Sequence, residues 1–190
     1  MHYIVFDIET KKPSAMGSFN PLTLDLSIVC IYESKTDSYH SFLEPELDKL
    51  WPFVEKTEML IGYNSDHFDI PILNKYYHGD LSHIKSLDLL NEIKNSLNRR
   101  VSLDQVAEGT LGKKKIGHGL QAIKWYEEGD IDSLRKYCLE DVKITKEIFD
   151  YALENKALKF KEAGQIFDIK LDTSNWLKKS ENSMTFSLPF

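Results

Sequence analysis

Two carboxylates at alternate positions, Asp7 and Glu9, close the apolar run Tyr3-Ile4-Val5-Phe6. Successive side chains of a strand point to opposite faces, so both acids fall on one face, roughly 7 Å apart along the strand. Like charges at the end of a buried strand lose hydration and raise each other's pKa, a cost that a divalent cation reverses. The pair therefore reads as a chelator, provided that the chain brings further carboxylates to meet it. By itself, Asp-x-Glu more often just closes a strand and faces water. Two later segments offer the missing acids: Asn64-x-x-x-Phe68-Asp69 and Tyr137-x-x-x-Asp141. Such a set of hard oxygen ligands suits Mg²⁺ or Mn²⁺. Two such ions roughly 3.5–4 Å apart can stabilise the attacking and leaving oxygens of an in-line phosphoryl displacement.

Several elements must position these groups. The segment around Asp7 reads as a buried strand, followed by a polar surface loop over Lys11–Thr23. Leu26–Tyr32 and Ser38–Leu43 read as further strands of an antiparallel meander, with Lys35-Thr36-Asp37 as the tight connection. Leu47, Leu50, Trp51 and Val54 fall at helical spacing within Glu46–Glu55, where Pro52 breaks or restarts the helix, and Met59–Tyr63 then reads as a short buried strand. Asn64 to Leu73 leaves that strand and enters a helix continuing toward Tyr77, with Pro71 tolerated in its first turn and Asp69 suited to capping it. Ile84–Leu87 is a candidate strand, Asp88–Leu97 a helix, and Ser102-Leu103-Asp104-Gln105 opens another with capping-box spacing. Gly109, Gly112, Gly117 and Gly119 then interrupt helical character. From Asp130 a strong helical stripe, Ile131, Leu134, Cys138, Val142, Thr145, Ile148 and Phe149, runs to about Leu153. Tyr137 and Asp141 lie one turn apart on it, about 6 Å along the axis on one face. The tail from Leu158 alternates at Phe160, Ile166–Ile169 and Met184-Thr185-Phe186, as two or three appended short strands.

A length of 190 residues suffices for a sizeable core without disulfides or a structural metal, and 42% hydrophobic with 28% charged residues is ordinary globular composition. The net charge of -6 argues against coating duplex nucleic acid by bulk charge, yet a carboxylate cluster that binds cations contributes to that figure. Cys30 and Cys138 belong to no CxxC or Cys/His pattern and read as core thiols. No run of about 18 apolar residues occurs, and the chain enters its first strand directly after Met1-His2, so the expected location is cytoplasmic with no membrane partner.

Asp7-Ile8-Glu9, Asn64-x-x-x-Phe68-Asp69 and Tyr137-x-x-x-Asp141, in that order, resemble the motifs of the DEDD superfamily of 3′-to-5′ exonucleases. Lys136 stands where the histidine branch carries its histidine, five residues before the last acid, and Tyr137 stands four before it, so the resemblance is to the tyrosine (DEDDy) branch. Asp88-Leu89-Leu90, Ser102-Leu103 and Tyr137-Cys138-Leu139-Glu140-Asp141-Val142 are similar to the exonuclease domains of family B DNA polymerases and to YprB-like predicted exonucleases. The resemblance implies an α/β, ribonuclease H-like fold with a five-stranded mixed sheet flanked by helices over residues 1–154, and a small C-terminal β extension over 155–190. It also implies that Asp7, Glu9, Asp69 and Asp141 bind two Mg²⁺ or Mn²⁺ ions, with Asp7 bridging, and that Tyr137 orients the attacking water. A phenol titrating near 10 is a poor general base at neutral pH, so the role assigned to Tyr137 is positioning. Thr10, Asn64 and Phe68 become substrate-lining candidates, although Phe68 also suits core packing and Asn64 a turn.

The implied substrate is single-stranded DNA or RNA with a free 3′ end, and the chain could act alone or with a helicase or polymerase. Lys113-Lys114-Lys115, with Arg99-Arg100, could contact phosphates or simply face solvent. His118 has no partner legible in the sequence. Two alternatives stand beside the exonuclease: a catalytically silent nucleic-acid-binding or interaction module on the same fold, and an endonuclease cutting RNA-containing duplex.

Overall fold

The computed structural model describes residues 1–12, 20–114 and 119–178. Five strands, Tyr3–Thr10 (β1), Leu26–Glu33 (β2), Ser38–Leu43 (β3), Met59–Gly62 (β4) and Lys85–Asp88 (β5), form one sheet in the order β3-β2-β1-β4-β5. β1, β2 and β3 are the expected antiparallel meander, while β4 and β5 add in parallel to the other side of β1. This is the mixed sheet that the sequence implied.

Strand alternation divides the core between the two faces of the sheet. Ile4, Phe6 and Ile8 point to one face, where they meet the helix Trp51–Val54 (α1) and Ile72 and Leu73 of the helix Asp69–Leu73 (α2). Val5 points to the other face, together with Ile28, Cys30 and Ile61, against the long helix at Ile131–Asn155, α6 below. Asp7 and Glu9 share the parity of Val5 and so belong to the face that this helix covers.

The remaining helices are Leu89–Leu97 (α3), Leu103–Leu111 (α4) and Gly119–Glu128 (α5), followed by Ile131–Asn155 (α6). Three of their starts are capped: Asp88 accepts from Leu90 N–H, Ser102 and Gln105 form the expected capping box, and Asp130 accepts from Ser133 N–H. Among the described residues no helix is long and apolar enough to cross a membrane.

Three local expectations need correction. The helix read over Glu46–Glu55 is a 3-10 segment, Glu44–Lys49, followed by α1, with Pro52 near its restart. α2 stops at Leu73, and the chain continues toward Tyr76 only as tighter turns, with Lys75 N–H donating to Ile72 O at 3.2 Å and Tyr76 N–H to Leu73 O at 3.0 Å. The glycine-rich stretch after Ser102 holds more helix than it promised: Gly109 lies inside α4, Gly112 ends it at φ 68°, and Gly119 begins α5.

The C-terminal extension is an antiparallel hairpin, Ala157–Glu162 (β6) and Gln165–Lys170 (β7). It docks on α4 where Gly109 makes room: a Cβ there would lie 2.5 Å from backbone atoms of Phe160. The third short strand read at Met184-Thr185-Phe186 lies outside the described residues, as do 13–19 of the surface loop, Lys115, Gly117 and His118.

Candidate active site

The site begins where the sheet is incomplete. β4 pairs with β1 only over Tyr3–Val5, whereas β2 accompanies β1 as far as Thr10. Beyond Val5 the β4-side edge of β1 is left open, and a buried amide there needs an acceptor. Asp69 supplies it: Ile8 N–H donates to Asp69 Oδ1 at 3.1 Å. Asp69 therefore does not cap α2, as its position suggested; Phe68 is the capping residue, with no side-chain bond, and the Asp69 carboxylate is spent on β1.

The junction that aims Asp69 is built from close contacts. A Cβ on Gly62 would stand 2.4 Å from the Cβ of buried Ser65, so glycine is needed for the chain to fold back. Asn64 follows in the left-handed region at φ 66°. Asp88, 4% exposed, then receives the turn: Asn64 N–H and Asp66 N–H donate to its two carboxylate oxygens at 2.8 and 3.2 Å. Ile70 N–H to Ser65 O at 2.9 Å completes the entry into α2.

α6 brings the second half of the site. The Cys138 thiol, fully buried, donates to Asp7 O at 3.5 Å, and Cys30 stands opposite Asp7 in the β1–β2 register. The two thiols are core residues, as expected, and their contact seats α6 directly beneath Asp7. Three residues further along α6, Asp141 reaches Asp7 and Glu9. Carboxylate oxygens of Asp7, Glu9 and Asp141 lie within 4.8 Å of one another, a group that could hold a metal ion. Asp141 is buried, and Asp7 and Glu9 are half-buried. Tyr137 is 3% exposed, its ring tilted at 55° against Trp125 of α5, with centroids 5.9 Å apart.

The electrostatics agree with a site that gathers like charge. Burial, reinforced by the charges of Asp88 and Asp141, pushes the Asp69 carboxyl up to about 7 against the opposing pull of the Ile8 amide. Burial also raises Asp88, although three backbone amides favour its charged form. The Cys138 thiol is pushed well up by burial and by its neighbour Cys30, which marks it as an inert packing group rather than a nucleophile.

The other candidates divide. Thr10 is 6% exposed and follows an irregularity in the β1–β2 register after Glu9; its hydroxyl donates to Lys12 O at 2.9 Å. Asn64 Oδ1 accepts from Arg100 Nη2 at 2.6 Å, beside a cavity of about 320 Å³ lined by Tyr63, Asn64, Leu90, Arg100, Val101 and Ser102. Phe68 is half-buried against the α1 and α2 core, consistent with packing. Lys113 is committed to both carboxylate oxygens of Glu147 on α6, at 2.7 and 2.6 Å, and Arg99 to Glu162 of the hairpin at 2.8 Å. Sequence reasoning did not single out Trp125, whose signal was absent because it lies in a helix read as broken. Asp88 was noted only within a motif, yet its place before Leu89-Leu90 marks an N-cap that the β4–α2 turn shares.

No curated protein matches the chain in sequence. Among solved structures, it is similar to the family B DNA polymerase from the hyperthermophilic archaeon Pyrobaculum calidifontis, at 20% identity and a TM-score of 0.61, over 80% of this chain. It spans about a quarter of that polymerase, 24% of its length, so the likeness concerns the fold of one part of the larger protein. The model of the RNase_H superfamily matches residues 4–153, from the start of β1 through nearly all of α6. With that match over most of its length, the chain belongs to the RNase_H superfamily.

Proposed function

We propose that this chain is a metal-dependent 3′-to-5′ exonuclease that hydrolyses phosphodiester bonds at the 3′ end of single-stranded DNA or RNA. Membership of the superfamily supports nuclease activity, and the observation that carries the finer reading is the convergence of Asp7, Glu9 and Asp141 within 4.8 Å, with Asp69 bonded to the strand between the first two. The donor set fits the expected cations: it is all carboxylate oxygen, as Mg²⁺ and Mn²⁺ require, and the Asp69 carboxyl, raised chiefly by burial with smaller contributions from the charges of Asp88 and Asp141, is a buried acid whose charged form a cation would favour. Asp7, Glu9, Asp69 and Asp141 would hold two ions. Bound there, such ions supply an activated water and neutralise charge developing on the leaving 3′ oxygen.

The chain's own residues divide the rest of the work. The Ile8 amide and the Cys138 contact hold Asp69 and Asp7 in register, so the carboxylates need not reorganise when substrate arrives. Tyr137 positions the attacking water through its hydroxyl. Thr10, at the end of β1, and Asn64, beside Arg100, face the strand entering the cleft, with Phe68 supporting Asn64 across the turn.

Digestion of 5′-labelled single-stranded DNA and RNA oligonucleotides with Mg²⁺ or Mn²⁺, beside an EDTA control and the Asp141→Ala protein, tests this directly. The expected result is a metal-dependent ladder shortening from the 3′ end, absent in the variant. Cleavage of a circular single strand would replace the exonuclease with an endonuclease. Retention of oligonucleotide with no product under either metal would leave a binding module on the same fold.

A further inference from the structure

A phenol can steer a water only if its ring is held, because Tyr has two side-chain rotors and a small swing at Cα moves the hydroxyl far. The helix α6 fixes one side of Tyr137 through its own backbone and the core beneath it. The other side is met by the Trp125 indole, at 5.9 Å between centroids and a 55° tilt, within the range of favourable tilted aromatic pairs.

The helix α5 that carries Trp125 is itself tied down at three points. Asp130 N–H donates to Trp125 O at 2.8 Å, and Gly129, at φ 75°, turns the chain so that Asp130 both receives the end of α5 and caps α6. The backbone that carries the indole is thus one hydrogen bond from the start of the helix that carries Tyr137. Ala122, one turn earlier on α5, is fully buried in the α6-side core. On the far side, the neighbouring Tyr126 ring lies 5.8 Å from Lys11 Nζ, and Lys11 follows Thr10 directly and pairs with Glu44. α5 therefore bridges the end of β1 and the phenol on α6.

We propose that Trp125 is the positioning residue for the Tyr137 hydroxyl, acting on the reaction through that ring alone. The inference rests on the exonuclease reading above and extends it to a residue outside the three motifs. A merely structural indole would lower stability when truncated but would leave catalysis by the folded protein unchanged, or would lower it whether or not the phenol hydroxyl is present.

The test is a double-mutant cycle on kcat and KM with a single-stranded oligonucleotide: parent, Trp125→Phe, Trp125→Ala, Tyr137→Phe and the Trp125→Ala/Tyr137→Phe pair. Trp125→Ala is expected to lower kcat roughly tenfold or more, since small misplacements of a catalytic group are costly, with KM within about twofold of the parent. Trp125→Phe, which keeps a ring edge against Tyr137, should recover most of that loss. In the Tyr137→Phe background, where no hydroxyl remains to position, the alanine substitution should change kcat less than about twofold. An alanine effect that persists in full in that background, or a parent-like kcat in the single variant, overturns the proposal while leaving the exonuclease intact. If Trp125→Ala does not fold, Trp125→Leu takes its place in the same cycle. A parent protein that cleaves no substrate with either metal overturns the exonuclease reading, and this role for Trp125 falls with it.

Discussion

Two places in this molecule press a helix onto a strand, and they do so on opposite terms. At the hairpin, Gly109 of α4 lets the backbone of Phe160 come close, and polar groups pair across the contact. Thr110 Oγ1 donates to Lys159 O at 2.7 Å and accepts from Lys159 N–H at 2.9 Å, while Lys161 and Glu108 pair at 2.8 Å. In the cleft, Cys138 of α6 seats against Asp7 in the same intimate way, but what gathers above it is Asp7, Glu9, Asp141 and Asp69. The hairpin contact stabilises the fold; the cleft stores like charge at the cost of stability. Carboxylates crowded together are retained where a ligand or a reaction uses them, which is why the two contacts should respond oppositely to substitution.

The sharpest separation comes from Asp7→Ala. On the proposed function it should cut turnover by at least about a thousandfold, ~4 kcal/mol of transition-state stabilisation, while the melting temperature in EDTA stays at or above that of the parent. Near-parental turnover would remove the carboxylates from catalysis. The converse experiment is Gly109→Ala. Its Cβ would meet backbone atoms of Phe160 at 2.5 Å, which no side-chain rotation can relieve. Overpacking should outweigh the ~1 kcal/mol gain in helix propensity and leave a net loss of about 2 kcal/mol, with turnover per folded molecule unchanged. A Gly109→Ala protein as stable as the parent would show that the hairpin rides loosely on α4.

How much of this was legible in the sequence follows from the range of the forces involved. β1 and α6 could be read because their patterns are local: an apolar alternation ending in two acids, and a stripe at helical spacing opened by Asp130. The Ser102–Gln105 capping box was legible for the same reason. α5 was not, since Gly119 at its first position argues locally against a helix that is held by packing on α6 and β1. Asp69 was read as a site candidate, and the local role its position suggested, capping α2, is not the one its side chain takes. A cap is a local pattern, whereas the open amide of Ile8 exists only because β4 stops pairing at Val5, a fact of register between strands far apart in the chain. Cys30 and Cys138 were read as core thiols, and their position under Asp7 likewise needed the β1–β2 register. The lysine run shows the reverse limit: Lys113 looked available for phosphate until α6 brought Glu147 beside it.

Asp69 also gives the finest test of the contrast, because its effect on stability should depend on pH in a defined direction. In the metal-free chain its carboxyl is raised from 3.8 to about 7, chiefly by burial, so the folded form holds this proton more tightly than the unfolded form does. Between those values the folded state binds more protons at this group, and stability contributed by it falls as pH rises. The contribution is complete below about pH 4 and lost as pH climbs through 7. Asp69→Asn keeps an acceptor for Ile8 N–H but cannot ionise. Measured in EDTA, the variant should match the parent near pH 4 and become progressively more stable than it toward pH 8, by up to about 4 kcal/mol or roughly ten degrees in melting temperature. Adding Mn²⁺ at pH 8 should reverse the order, since the ionised carboxylate is then a ligand and the parent gains more from binding than the asparagine variant. A difference between the two proteins that is flat from pH 4 to 8 would mean that Asp69 stays ionised in the fold, and the cleft would then be no costlier to the metal-free chain than the hairpin contact is.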